Sequence, residues 1–357
     1  MEIVNQIESL EGIEQLCIDE CEKELFQNIE KQLPIRITSH YLKQIDWTNL
    51  DDPIRKICIP TIRELDTAGS LDTSGERSYT VCNGLQHKYR ETALVLFTNE
   101  CATYCRYCFR RRFVGTNKEE VMYDEGRVIN YIVNHPEINN VLVSGGDPLT
   151  SETRRLIGFT KRLCNISSLN YIRIGTKMPI VYPKRVLDDT EFLEGLKKCS
   201  LKKQIIMVLQ CNHVRELSED TQKSISELQK AGVILRSQTV LLKGVNNKAS
   251  TLVELFNKLT AIGVIPYYVF QCRPVKGICE EFQVSLIEGN RIINEAKASL
   301  NGMAKNFKYC MSMIEGKIEI IGILDNKMIF RYHEAPIDKN VGKVFLKEIE
   351  QNQCWLY

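Results

Sequence analysis

Cys101, Cys105 and Cys108 stand at CxxxCxxC spacing in Cys101-Ala-Thr-Tyr-Cys105-Arg-Tyr-Cys108-Phe-Arg110. The apolar run Ala93-Leu-Val-Leu-Phe97 before them reads as a strand, which puts the cysteines on the loop leaving its C-terminal end. In α/β folds that end of a sheet is where sites are assembled. Three thiolates from one short loop can hold three irons of a [4Fe-4S] cube. The fourth iron is then open to a small molecule, unlike in a four-cysteine electron-transfer site. Two other readings stand beside this one. Zinc wants four N or S ligands, commonly in CxxC pairs, and no second pair is evident. Disulfides within so short a loop would be strained.

Three further groups carry potential chemistry. Gly145-Gly146-Asp147 follows the strand-like Val141-Leu-Val-Ser144. Paired glycines after a buried strand let a ligand approach the backbone, and Asp147 can accept from an ammonium group. The same residues also read as a plain strand-to-helix turn capped by aspartate. Gly316-Lys317 opens a strand, where a lysine is ordinarily an exposed residue. Arg110, Arg111 and Arg112 form a basic cluster. An arginine fork suits a carboxylate, and a solvated patch or support for the cysteine loop is the alternative.

The elements that must position these groups follow from the pattern. The chain has 357 residues, 43% hydrophobic and 26% charged, which is ordinary for a soluble protein with one large α/β domain or two domains. A net charge of +2 gives no electrostatic case for nucleic acid. No apolar run reaches membrane-spanning length, and the acidic, polar N-terminus does not read as a signal peptide. Fourteen cysteines without a secretion signal point to a reducing cytoplasm. Residues 1–85 read as a mainly helical region, with helical spacing over Ile13–Ile35 and a helix opened by Asp51-Asp52-Pro53; the loop Thr67–Asn83 reads as its boundary. From 86 to 282 six apolar runs, at 93–98, 140–144, 171–175, 204–209, 233–241 and 264–271, alternate with five helix-like segments. This predicts an α/β fold with a parallel sheet, open or as a partial barrel. Residues 283–357 read as a helix over Val284–Leu300, then strands at 307–313, 317–324 and 328–332 with a turn at Asp325-Asn326, and a short helix after Val341.

The CxxxCxxC loop with aromatic Tyr107 before its last cysteine, followed one strand–helix unit later by Gly145-Gly146-Asp147, resembles the radical S-adenosylmethionine (SAM) superfamily. Within it, Ile35-Arg-Ile-Thr, Asp52-Pro-Ile-Arg-Lys, His87-Lys88-Tyr89, Arg110–Phe113, Ser144–Leu149, Arg173-Ile-Gly-Thr, Gln238-Thr-Val-Leu-Leu and Pro266-Tyr-Tyr are similar to the lysine 2,3-aminomutase family, in its order, over residues 35 to 320. The resemblance selects the partial (β/α)6 barrel. It implies a [4Fe-4S] cluster on Cys101, Cys105 and Cys108, and SAM near Tyr107, Ser144, Gly145, Gly146, Asp147 and Gln238. It also implies pyridoxal 5'-phosphate (PLP) bonded to Lys317 and contacted by Lys88 and Tyr89, although the family's glycine run is reduced here to Met-Ile-Glu-Gly316. Arg110 matches the arginine that meets the substrate carboxylate.

The substrate-recognition positions depart from the lysine enzymes. Their two aspartates for the distal ammonium are matched by Arg273 and Cys310, so an anionic pocket becomes cationic, and lysine would face like charge. The expected substrate is an amino acid with an acidic or neutral side chain, glutamate being the simplest. In the competing reading Arg273 turns outward to Glu280 or Glu281. The resemblance implies an isomerase fed by an external one-electron donor such as a flavodoxin or ferredoxin, without nucleic acid or membrane, and leaves a homo-oligomer open. The other functions in play are a radical SAM reaction without PLP, modification of a lysine on a translation factor, against which Arg273 argues, and an iron–sulfur sensor.

Overall fold

The computed structural model describes residues 6–7 and 20–356, with side chains from residue 24 onward. Two-residue strands β1 (Gln6–Ile7) and β2 (Ile37–Thr38) pair antiparallel. The rest of the chain is organised by one twelve-stranded sheet in which strands lie in sequence order. It opens with β3 (Thr80–Cys82) and β4 (Leu85–Tyr89), antiparallel to each other and to β5 (Thr92–Thr98). β6 (Asn140–Gly145), β7 (Tyr171–Thr176), β8 (Gln204–Gln210), β9 (Ile234–Leu241) and β10 (Ile265–Gln271) then run parallel to β5. These are the six expected strands. A seventh, β11 (Lys308–Met313), also pairs parallel with β10. The helix Leu286–Ser299 carries the chain back, so β11 continues the parallel set that the expected tail had excluded.

β12 (Gly316–Leu324), β13 (Lys327–Glu334) and β14 (Val344–Glu348) complete the sheet antiparallel. β12 and β13 turn through Asp325 (φ 47°) and Asn326 (φ 63°), both in the left-handed region that a tight hairpin requires. β14 replaces the short helix expected after Val341: Val344, Phe345 and Leu346 pair with Arg331, Phe330 and Ile329 on the free edge of β13. β3 and β14 remain edges, so the barrel does not close. The sheet also runs without a break through residues 85 and 282.

The helices between the parallel strands, Glu125–Val133, Thr153–Cys164, Thr190–Ser200, Glu219–Lys230 and Ala249–Ala261, fall within the expected segments. Each turns an apolar stripe onto the sheet, for example Leu156, Phe159 and Leu163. The region before β3 is less helical than expected. Among its described residues the longest helix is Glu20–Gln32, and Ile13 to Asp19 lie outside the described residues. Asp52 does cap the helix Pro53–Cys58, accepting from the amides of Ile54 and Arg55. No helix among the described residues is long and apolar enough to cross a membrane.

Candidate functional site

The C-terminal ends of the parallel strands surround one cavity. Cys101, Cys105 and Cys108 after β5, Ser144 to Asp147 at the end of β6, Gln238 on β9, Arg273 after β10 and Lys317 at the start of β12 all line it, with Lys88, Tyr89, Tyr107 and Arg110. Cys310 is fully buried on β11 and is not part of that wall, although the sequence placed it beside Arg273. His213 is also outside the wall; it closes a capping box with Glu216.

The cysteine loop is held from behind. Arg106, 1% exposed, forks onto Glu64 (Nε to Oε1 2.8 Å, Nη2 to Oε2 2.7 Å), and Arg111 donates to the same carboxylate at 2.6 Å. The Tyr104 amide donates to Arg36 O at 2.9 Å and the Arg106 amide to Ile57 O at 2.8 Å. These ties turn the cysteines toward the cavity. Burial, with Asp147, Cys108 and Cys105 adding to it, pushes the Cys101 thiol well up. Burial and Cys105 push Cys108 up to about 11. Three buried thiols this close cannot all ionise without a cation among them, and an iron–sulfur cluster supplies one. The donor set therefore fits the cluster. Among the described residues no group of three His, Cys, Asp or Glu side chains is gathered as a single metal ion would need.

The two glycines after β6 serve the protein's own packing. Gly145 has φ 109°, and a Cβ there would lie 2.3 Å from Thr98 O; a Cβ on Gly146 would lie 2.4 Å from Glu100 O. The amides of Gly146 and Asp147 donate to those carbonyls at 2.6 and 2.8 Å, which locks the turn onto the segment entering Cys101. The Asp147 carboxylate, expected to be open to an ammonium group, accepts instead from Thr176 Oγ1 and from the amides of Leu149, Lys177 and Met178. Gln238 Nε2 donates to Gln210 Oε1 at 2.9 Å, on the cavity side of β8 and β9.

The loop before β3, expected to be a domain boundary, is a strap across the cavity mouth. The Ser70 amide donates to Pro274 O (3.0 Å), and Tyr79 Oη donates to Ile314 O (3.1 Å). From this strap Glu76 takes Arg110 (Nη2 to Oε1 2.8 Å) and Arg112 (2.7 Å). Burial opposes its charge, but Arg110 and Arg112 hold the Glu76 carboxyl down to about 2. Arg110 also donates to Ser144 Oγ and Gly145 O. The guanidinium expected to meet substrate thus meets a carboxylate of its own chain. Glu76 and Glu64 gave no sequence signal, because their arginine partners lie 34 to 47 residues away.

Arg273 turns inward. Its Nη1 donates to Ser74 Oγ at 2.8 Å, and its guanidinium lies 3.8 Å from the centroid of the Phe109 ring. Burial pushes it down to about 10 although Glu76 supports its charge. Glu280 and Glu281, its alternative partners, face Arg63 instead.

At the opposite wall Lys317 pairs with Glu334 at 2.6 Å, its ammonium 4.4 Å from the centroid of the Tyr268 ring and 5.8 Å from that of Tyr89. Lys88 donates to Ser74 O and Met313 O, and burial, with Arg273 adding to it, lowers it to about 8. Arg173, which the motif reading left without a role, donates to Asn140 Oδ1 at 2.6 Å while its buried Nε has no partner. A lysine nitrogen, aromatic faces and donors in excess of acceptors on one wall fit a phosphate-bearing aromatic aldehyde such as PLP.

Comparison with known proteins agrees with this geometry. A family model described as a 4Fe-4S single cluster domain matches residues 89–173. The chain is 40% identical over 340 residues to a putative L-lysine 2,3-aminomutase of Aquifex aeolicus (strain VF5), covering 95% of this chain and 91% of the relative. It is 34% identical over 305 residues to L-lysine 2,3-aminomutase of Clostridium subterminale (84% and 72% covered). It is 35% identical over 287 residues to glutamate 2,3-aminomutase of Clostridioides difficile (strain 630) (79% and 66% covered).

Proposed function

The chain belongs to the lysine 2,3-aminomutase family of radical SAM enzymes, and we propose that it moves the amino group of an acidic α-amino acid, most simply glutamate, from C2 to C3. The observation that carries the substrate is the charge of the cavity wall. Each acid among its described lining residues is committed: Glu76 to arginines, Asp147 to hydroxyl and amide donors, Glu334 to Lys317. The distal ammonium of lysine would find no free carboxylate there. Arg273, buried and given a single hydrogen bond to Ser74, offers the rest of its fork to a side-chain carboxylate.

A [4Fe-4S] cluster and SAM come with the family and, when bound, supply the radical that lifts a hydrogen atom, while PLP would carry the migrating nitrogen. Cys101, Cys105 and Cys108 hold the cluster in this reading. Ser144, Gly145, Gly146 and Gln238 face SAM, with Tyr107 beside the cysteines and Asp147 bracing the glycine turn. Lys317, Lys88, Tyr89 and Arg173 hold PLP. Arg110 reaches a substrate carboxylate only on the edge that Glu76 covers, so the strap must yield when substrate enters. The strap and the barrel wall keep water from the reacting atoms. As a radical SAM enzyme the protein takes its electron from an external donor, for which a flavodoxin or ferredoxin is the proposed class.

The test is an anaerobic screen of the twenty amino acids with SAM, PLP and a reductant, read out as β-amino products. Glutamate is expected to turn over, and Arg273→Asp to lower kcat/KM on it by about a hundredfold, as loss of a buried carboxylate partner implies. Preferred turnover of lysine, or an unchanged profile in the variant, defeats the substrate reading. A visible lysine–PLP band absent in Lys317→Ala supports the cofactor reading. No band in the wild type with added PLP defeats it.

A further inference from the structure

The partner of Lys317 is supplied by an irregularity in the sheet. On β12 and β13, Lys317 faces Glu334 while its neighbour Ile318 faces Tyr332, so His333 is the extra residue of a β-bulge. Bulges re-aim side chains beside sites. Here both bulge residues engage the lysine pocket: Glu334 bonds the Lys317 ammonium at 2.6 Å, and His333 Nε2 lies 2.7 Å from the hydroxyl of Tyr268, whose ring covers that ammonium. Gly316 permits the arrangement. It has φ 144°, and a Cβ there would lie 2.2 Å from Glu334 O. The one glycine retained before the lysine is therefore the one that the Glu334 backbone requires.

We propose that Glu334 is the positioning residue of Lys317, holding its ammonium at the cavity wall and taking up the proton it must shed before its nitrogen can bond to a carbonyl carbon. This rests on the reading of Lys317 as the PLP lysine. The balance is simple. One ammonium proton passes to the Glu334 carboxylate, and the neutral amine forms a C–N bond to the aldehyde carbon. The carbonyl oxygen leaves as water with the two remaining amine protons. Glu334 keeps its proton until the reverse reaction returns the lysine. Its placement suits the exchange: the Glu334 side chain is 31% exposed toward the cavity while that of Lys317 is 12% exposed. Burial works against the Glu334 charge, but Lys317 holds its carboxyl below the usual range, so the acceptor is ionised when the lysine is at rest.

The test needs no PLP. The full chain, purified anaerobically with its cluster, is labelled with formaldehyde and a borohydride at neutral pH, and methylation of Lys317 is followed by peptide mass spectrometry with Lys88 as internal reference. Freed from its ion pair in Glu334→Gln, Lys317 is expected to label about tenfold faster relative to Lys88. Glu334→Asp, which keeps the charge but withdraws it by one methylene, should fall between. A wild-type rate in Glu334→Gln overturns the proposal. Should that variant not fold, a wild-type rate in Glu334→Asp does the same. Absence of a PLP band in the wild type would sink the cofactor reading alone, and the labelling rates would still decide the role of Glu334.

Discussion

Glu76→Gln tests whether the strap is held by charge. The carboxyl falls from an ordinary 4.5 to about 2 in the folded protein, which corresponds to about 3 kcal/mol. The folded value is the lower one. The contribution is therefore complete above 4.5 and is lost as pH drops from there toward 2. Removing the charge also leaves Arg110 short of its only carboxylate, whereas Arg112 keeps Glu120 at 2.6 Å. Breaking a buried pair from one side costs about 3–5 kcal/mol, of the same order. The assay is urea unfolding of wild type and variant under anaerobic conditions, followed by tryptophan fluorescence, because Trp355 is buried. At pH 7 the wild type should be more stable by about 3 kcal/mol. The gap should narrow below pH 4.5 and be nearly gone at pH 2, where both proteins carry a neutral group at this site. The comparison isolates Glu76 because the other titrating carboxylates are common to both chains. A gap under about 1 kcal/mol at pH 7, or one that does not change with pH, refutes the reasoning.

Two shorter predictions concern the other walls. Cys105→Ala should leave the fold intact but abolish stable cluster incorporation, measured as iron and sulfide per chain after anaerobic reconstitution; wild-type iron content would remove the three-thiol assignment. Gly316→Ala forces a Cβ to within 2.2 Å of Glu334 O at a left-handed φ. It should destabilise the protein by about 1–3 kcal/mol in thermal unfolding and disturb the Lys317–Glu334 pair, seen as faster formaldehyde labelling of Lys317.

The parts of this protein that could be read from its sequence are those written in local spacing. The cysteine triplet, the alternation of strands and helices from residue 93, and the Asp325-Asn326 hairpin each sit within a short window, and each is found where the spacing puts it. What could not be read depends on distant chain. β11 looked like a tail strand because nothing local distinguishes parallel from antiparallel pairing; that is settled by the preceding helix and a place beside β10. The strap reads as a polar Gly, Ser, Thr and Asp loop, and only the fold brings its Glu76 to Arg110 and Arg112. Asp147 was open to two readings, and its four donors, two from beyond residue 175, select the bracing one.

The cavity explains why a change at two positions can redirect a conserved chemistry. An enzyme that handles charged amino acids must match a side-chain charge without disturbing the charges that hold its own loops. Here those internal charges are paired within the protein: Arg106 and Arg111 with Glu64, Arg110 and Arg112 with Glu76, Lys177 with Glu216, Lys317 with Glu334. Arg273 stands apart, with a serine hydroxyl and the face of Phe109 in place of a carboxylate at ion-pair distance. A buried guanidinium without an ion-pair partner costs stability, and a ligand carboxylate recovers it. The side-chain preference can therefore be set at Arg273 alone while the cluster loop and the lysine pocket stay as they are.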